Sequence, residues 1–196
     1  MPEFKLHYFD LRARGEPIRL IFAYKGVPFE DVRYNFEEWP SKKESFPFGQ
    51  LPVLDVDGKR LAQSKAIYRY LGRKFGLNGQ DEWETAKLDE TGELLNDFMD
   101  AIKEFLGDQL RKEKFIPALE KFGPWFKRQL DASGSGFFGK KVTFLDFGFA
   151  SIFEGLAHFE PEAIREKVPF LEEHSKKVLA LPELKEYLSK RKEQHV

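Results

Sequence analysis

The sequence predicts an α+β protein in two parts, and three observations predict it. Residues 4–75 switch between strand-like and helix-like periodicity in the order βαβ, an irregular link, then ββα. Residues 83–192 show helical periodicity and no convincing strand. Between them "GLNGQDEW" is short, polar and glycine-containing, which places a linker at 77–82 between domains 1–76 and 83–196.

Each element has its own signal. "FKLHYF" sets Phe4, Leu6 and Tyr8 on one face and Lys5 and His7 on the other, the alternation of a half-buried strand. After the loop "DLRARGE", Pro17 suits the first turn of a helix carrying Ile18, Leu20, Ile21 and Tyr24, which Gly26 stops. "EDVRYNF" is the second strand, and "EEWPSKKESFPFG", broken by Pro40 and Pro47, reads as irregular or short-helical. Val53–Val56, the Asp57-Gly58 turn and Lys59–Gln63 make a hairpin. Ser64 then caps a helix with the apolar stripe Ala66, Ile67, Tyr70, Leu71 and Phe75, which ends at Gly76.

The second part reads as helices throughout. "KLDETGELLNDFMDAIKEFL" is one long helix, and "FIPALEKFGPWFKRQL" is another interrupted at Gly123-Pro124. "SGSGFFGKK" is a loop, after which Thr143 opens "TFLDFGFASIFEGLAHF" with Asp146 in the place a capping box gives to Glu or Gln. Two further helices follow, split by Pro169 and Pro182.

Composition narrows the function classes. The 196 residues are 41% apolar and 33% charged, ordinary for a soluble globular chain and against disorder or a membrane span. A net charge of −1 makes no general case for nucleic acid or an anionic membrane as partner. With no cysteine, disulfide, thiolate-nucleophile and Cys-metal hypotheses fall away. "MPEFKLHYFD" lacks the features of a signal or transit peptide, so a cytoplasmic protein is expected.

The stretch "PFGQLPVLDVDGKRLAQS" has a chemistry of its own. A proline at the head of a strand has no N–H for a ladder, so it marks a place where pairing passes to something else. If Leu51–Pro52 is cis, Leu51 presents its N–H and C=O outward, where an extended peptide-like ligand can pair with them. Gln63 and Ser64, at a strand end and a helix N-terminus, offer an amide, a hydroxyl and backbone N–H donors suited to a carboxylate. Taken alone, the simpler reading is that Pro52 starts a strand and Ser64 caps a helix.

In order, "YFDLRARGEPIRLIF", "EEWPSKK", "PFGQLPVLDVDGK" and "AQSKAIYRYLGRKFG", followed by a helical half with "NDFMD" and "TFLDF", resemble the cytosolic glutathione transferases. The βαβ-ββα order with a proline before its third strand is the thioredoxin-like arrangement. Among the classes, the sequence is most similar to sigma, which includes nematode and other invertebrate enzymes and the glutathione-dependent prostaglandin D synthases.

The resemblance implies roles position by position, with glutathione as co-substrate and no metal. Tyr8 matches the catalytic tyrosine, a donor to the glutathione thiolate, and Arg14 a cation close to that sulfur. Trp39 and Lys43 match contacts to the glycine end, accompanied by Gln50. Leu51, before Pro52, matches the backbone partner of the cysteinyl unit, and Gln63 with Ser64 the contacts to the γ-glutamyl group. Asp97 matches an acid that reaches the neighbouring subunit's glutathione, which implies a homodimer; Phe48 is a candidate for that subunit contact. Thr143 and Asp146 match a capping motif that serves folding. Phe9, Arg12, Met99 and Lys103 are candidates for the pocket of an apolar electrophile.

Several positions depart from the sigma pattern: "LRARGE" replaces a more glycine-rich loop, Lys65 follows Ser64, and Glu104 stands where vertebrate prostaglandin synthases carry an aromatic. The expected activity is conjugation of the glutathione thiolate to an electrophile. A prostaglandin D isomerase and a non-catalytic ligand-binding or crystallin-like relative are the alternatives.

Overall fold

A computed structural model describes residues 2–107 and 112–192. The chain divides into two compact units, Met1–Gly76 together with Leu179–Val196, and Leu77–Val178. The sequence places everything from residue 83 onward with the helical half; by packing, the segment from Leu179 groups with the first unit.

The first unit is built on strands β1 (Phe4–Phe9), β2 (Glu30–Tyr34), β3 (Val53–Val56) and β4 (Lys59–Ala62), with helix α1 (Glu16–Lys25) between β1 and β2. A single helical turn, α2 (Trp39–Lys42), and two 3-10 turns fill the link to β3, and α3 (Ser64–Phe75) follows β4. The sheet order is β2-β1-β3-β4, with β1 parallel to β2 and the other pairs antiparallel. Register pairs Leu6 with Leu54 and His7 with Val53. The period-two pattern of β1 therefore sends Phe4, Leu6 and Tyr8 to a buried face. There Phe4 meets Phe22 of α1 at 5.1 Å and Phe75 of α3 at 6.0 Å. On the opposite face Val53 and Ala62 pack with Phe46, Tyr34, Trp39 and Leu51.

Local chemistry sets the turns. Asp57 and Gly58 take φ 51° and 80°, the double left-handed pair of a two-residue hairpin. Gly26 and Gly76 end α1 and α3 at φ 60° and 66°, where a side chain is disfavoured. Ser64 is not the cap of α3 but its first residue; Gln63 holds the cap position at φ 71°.

From Pro182 a 3-10 turn packs on α1 and leads into the last described helix, Lys185–Lys190, with Leu184 buried. This attachment is why Leu179 onward belongs to the first unit.

The second unit contains α4 (Glu82–Ala101), α5 (Lys103–Gly107), α6 (Lys112–Ser133), α7 (Phe144–Phe159), α8 (Pro161–Lys167) and most of α9 (Pro169–Leu179); the helix Lys185–Lys190 of the first unit is α10. The single helix expected over residues 87–106 breaks at Ile102, which is buried with φ −100° and ψ 5°. Conversely, α6 is continuous through Gly123-Pro124. The helix holds because Leu119, Phe122, Phe126 and Leu130 form one buried stripe, enough to offset roughly 3 kcal/mol for an interior proline. Gly123 allows close approach, since a Cβ there would lie 2.7 Å from Val168 Cγ1.

Helix α7 is apolar nearly all round and is the buried centre of this unit. Its N-terminus is pinned by the Asp146 carboxylate. Oδ2 accepts from the Thr143 N–H and hydroxyl, both at 2.8 Å. Oδ1 accepts from the Phe138 N–H at 2.9 Å and lies 2.8 Å from His174 Nε2. Asp146→Ala leaves all of these buried groups without that partner, so the unit should lose about 3 kcal/mol or more, beyond an ordinary cap. Urea unfolding followed by circular dichroism checks this; a loss below about 1 kcal/mol would contradict it.

Candidate functional site

A cleft of about 290 Å³ opens on the first unit, lined by Phe9, Arg14, Trp39, Gly49, Gln50, Leu51, Pro52, Gln63 and Ser64. Its floor follows from the elements just described. The Leu51–Pro52 peptide is cis, as the sequence suggested, and Pro52 is buried while Leu51 lines the opening. Among the described residues no hydrogen bond occupies the Leu51 N–H or C=O. The Gln63 amide donates to Gln50 Oε1 at 3.0 Å, and Ser64 is buried at the start of α3, where the first N–H groups of a helix lack internal partners. The left-handed φ of Gln63 costs about 1–3 kcal/mol and aims its side chain at Gln50.

Arg14, also in the lining, follows a sharp turn of the chain after β1, with Ala13 at φ 29°. One peptide of this turn is clamped by two phenols. The Arg14 N–H donates to Tyr8 Oη at 3.2 Å, and Tyr68 Oη donates to the Arg14 C=O at 2.7 Å. Tyr8 is 5% exposed and lies just behind the lining, under Gly15. Burial pushes its phenol above the usual value, opposed by the Arg14 N–H and by the charges of Arg14 and Arg19. It therefore keeps its proton at neutral pH. Since its oxygen already accepts from Arg14, its own O–H is left to donate. Burial likewise raises the Tyr68 phenol, and the charge of Tyr8 adds to the effect.

Trp39 is half-buried, set edge-on to Phe9 at 5.5 Å and packed on Phe46 at 5.5 Å. Lys43 is exposed and is not among the lining residues; its stem crosses Gly49, where a Cβ would meet Lys43 Cε at 3.1 Å. Arg12 is half-buried and donates to the Lys192 C=O at 3.4 Å. Phe48 is 77% exposed at φ 57°. Asp97, Met99 and Lys103 belong to the second unit, Asp97 exposed and Met99 half-buried on α4, Lys103 exposed at the start of α5.

Models of the glutathione S-transferase N-terminal and C-terminal domains match residues 4–73 and 96–191. The chain belongs to the glutathione S-transferase family. Glutathione S-transferase 1 of Ascaris suum is 41% identical over 205 residues, 97% of this chain and 98% of that protein. The solved structure of a Necator americanus glutathione S-transferase, described as monomeric, has a TM-score of 0.91 at 38% identity over 98% of both chains. That of prostaglandin synthase D from Nilaparvata lugens has a TM-score of 0.84 at 36% identity, over 97% of this chain and 99% of that one. Relatedness at this level over nearly the full length makes the protein a glutathione-transferring enzyme with the thioredoxin-like and helical fold of its family.

In this transferase three contributors to the site escaped sequence reading. Tyr68 sits one helical turn after Ser64, outside the apolar stripe, and carries no local signal of its own. Gly15 passes for part of a loop, yet a Cβ on it would lie 2.3 Å from Tyr8 Cδ1. Arg19 reads as a polar position in α1 but is fully buried, with Cζ 5.9 Å from the Tyr8 ring centroid. Among the described residues there is no group of three or more His, Cys, Asp or Glu able to hold a metal, and no helix long and apolar enough to cross a membrane.

Gly15→Ala should push the Tyr8 ring aside. A misplacement of about 1 Å beside the chemistry costs on the order of a hundredfold. Conjugation of glutathione to an aryl halide should fall by about that factor, with far-ultraviolet circular dichroism unchanged; wild-type turnover would show that the ring is free to move.

Proposed function

We propose that this enzyme is a sigma-class glutathione transferase that joins the glutathione thiolate to apolar electrophiles, working as a homodimer in the cytoplasm. The observation that carries the reading is the Tyr8 hydroxyl, fixed by the Arg14 N–H beside a cleft lined by Leu51, whose backbone has no hydrogen bond among the described residues. A thiol has an ordinary pKa near 8.5, so a donor to its sulfur raises the thiolate fraction at neutral pH. Tyr8 gives that donor, and Arg14 adds positive charge. The Leu51 backbone pairs with the cysteinyl unit, Gln63 and Ser64 hold the γ-glutamyl group, and Trp39, Lys43 and Gln50 meet the glycine carboxylate. Asp97 of the neighbouring subunit is assigned to the γ-glutamyl ammonium. Phe9 and Arg12 are assigned to the electrophile, as are Met99 and Lys103 on their own unit. The thiolate attacks the electrophilic carbon, a C–S bond forms, and in the case of an aryl halide the halide departs with the bonding pair.

A second reading, glutathione-dependent isomerisation of a prostaglandin endoperoxide, draws on the likeness to the Nilaparvata lugens prostaglandin synthase D. Turnover of an endoperoxide faster than of an aryl halide would favour it. The Necator americanus relative is described as monomeric, so sedimentation of this enzyme decides the dimer.

Tyr8→Phe tests the mechanism. One hydrogen bond to a charged group contributes about 1.5–3 kcal/mol, so kcat/KM should fall roughly ten- to a hundredfold. Retention on immobilised glutathione should persist. Because burial holds the Tyr8 phenol above its ordinary value near 10, its own ionisation brings no decline below that pH. The rising limb of kcat/KM then belongs to the glutathione thiol and should move to higher pH in the variant. An unmoved limb would remove Tyr8 from the chemistry.

A further inference from the structure

We propose that Tyr187 and Arg191, near the C-terminus, are positioning residues for the Tyr8 hydroxyl, acting through the buried pair Glu16 and Arg19. Both lie in the first unit, 171 and 175 positions from Glu16 in sequence.

The Glu16 side chain is 1% exposed. Its Oε1 accepts from Tyr187 Oη at 2.9 Å and from Arg191 Nη1 at 3.1 Å. Its Oε2 has a longer contact, 3.4 Å, with Arg19 Nη1. The C-terminal segment thus supplies the shorter bonds of a buried carboxylate. Arg19 spends its other donors elsewhere. Nη1 donates to the Leu11 C=O at 2.8 Å, Nη2 to the Phe9 C=O at 3.4 Å, and Nε to Asp31 Oδ2 at 3.0 Å. The carbonyls of Phe9 and Leu11 belong to the chain leaving Tyr8, and that chain returns through Arg14 to hold the Tyr8 oxygen.

Remove the Tyr187 hydroxyl and the Arg191 charge, and Glu16 is left buried with one long contact. An under-partnered buried carboxylate draws the nearest cation. That cation is Arg19, and as it moves toward Glu16 it loosens its hold on the two carbonyls. The Arg14 N–H then no longer fixes the phenol where the thiol needs it. A second tie points the same way: Lys192 Nζ meets Asp10 Oδ2 at 2.8 Å, and Arg12 donates to the Lys192 C=O at 3.4 Å. The C-terminal segment therefore touches the turn after β1 at Asp10 and Arg12 and the start of α1 at Glu16.

This inference rests on the reading of Tyr8 as the thiol's donor, and the experiment separates the two. In the full-length enzyme, ionisation of bound glutathione is followed by the ultraviolet absorbance of its thiolate across pH. The double variant Tyr187→Phe/Arg191→Gln should raise the thiol pKa by about one unit, a tenfold loss of thiolate at pH values below both pKa values. The KM for glutathione should stay within about twofold, since neither residue lines the cleft. Arg191→Lys, which keeps the charge, should leave the thiol pKa close to its wild-type value, and Glu186→Gln, in an exposed pair with Lys190, should give no shift. If the double variant does not fold, Tyr187→Phe, which deletes one oxygen, decides alone. A folded variant that melts lower but binds glutathione with an unshifted thiol would overturn the proposal while leaving Tyr8 in place. If Tyr8→Phe also leaves the thiol unshifted, the Tyr8 reading falls and the positioning role falls with it.

Discussion

The first unit depends on one buried guanidinium. Arg19 is fully excluded from solvent and reaches two carboxylates, Asp31 and Glu16, and two carbonyls, Phe9 and Leu11. Desolvating such a charge costs several kcal/mol, and only a nearly complete set of partners offsets it. The consequence is geometric. Asp31 sits in β2, Phe9 ends β1, Leu11 lies in the turn and Glu16 opens α1, so one planar group sets the relative positions of four segments. Arg33 extends the network from Asp31 to Asp10 at 2.7 and 2.8 Å. A lysine at position 19 would bring a point charge with three donors and could not span the same set.

What this frame delivers is a phenol with one free function. Tyr8 and Tyr68 grip the two ends of Arg14 in opposite senses, one accepting from its N–H and the other donating to its C=O. Tyr8 thus uses an acceptor lone pair on the protein and keeps its proton for a ligand. Burial keeps that proton in place, whereas a more exposed phenol beside Arg14 and Arg19 would be pulled toward ionisation.

How legible this was depended on whether the signal is local. The Asp57-Gly58 turn, the stops at Gly26 and Gly76 and the strand β1 are written in residues whose backbone preferences or alternation act within a few positions. Arg14, Trp39, Gln50, Leu51, Pro52, Gln63 and Ser64 were readable as a set by their order, and the cleft gathers them. Ser64 was misread by one position because Gln63 takes a left-handed φ that propensity disfavours. The break at Ile102 carries no glycine or proline, and α6 runs through two prolines because its buried stripe outweighs them. Arg19, Tyr68 and the Glu16–Tyr187 bond were invisible because their meaning lies in partners across the fold, as far as 171 positions away.

The charged node at Glu16 raises a question of design. A well-packed apolar cluster would stabilise the junction of α1 and the C-terminal segment about as well, since buried ion pairs often fail to recover their desolvation. What apolar packing lacks is discrimination between nearby arrangements. A leucine can shift by an ångström and lose little, but a buried carboxylate that loses Tyr187 and Arg191 is left uncompensated, and the cost rises steeply with displacement. Glu16 also sits in the first turn of α1, where the unpaired N–H groups favour a negative charge, so the node is anchored on the helix side whatever the C-terminal segment does. The steepness of that energy, rather than its depth, is what holds the start of α1 and the turn before it in one arrangement.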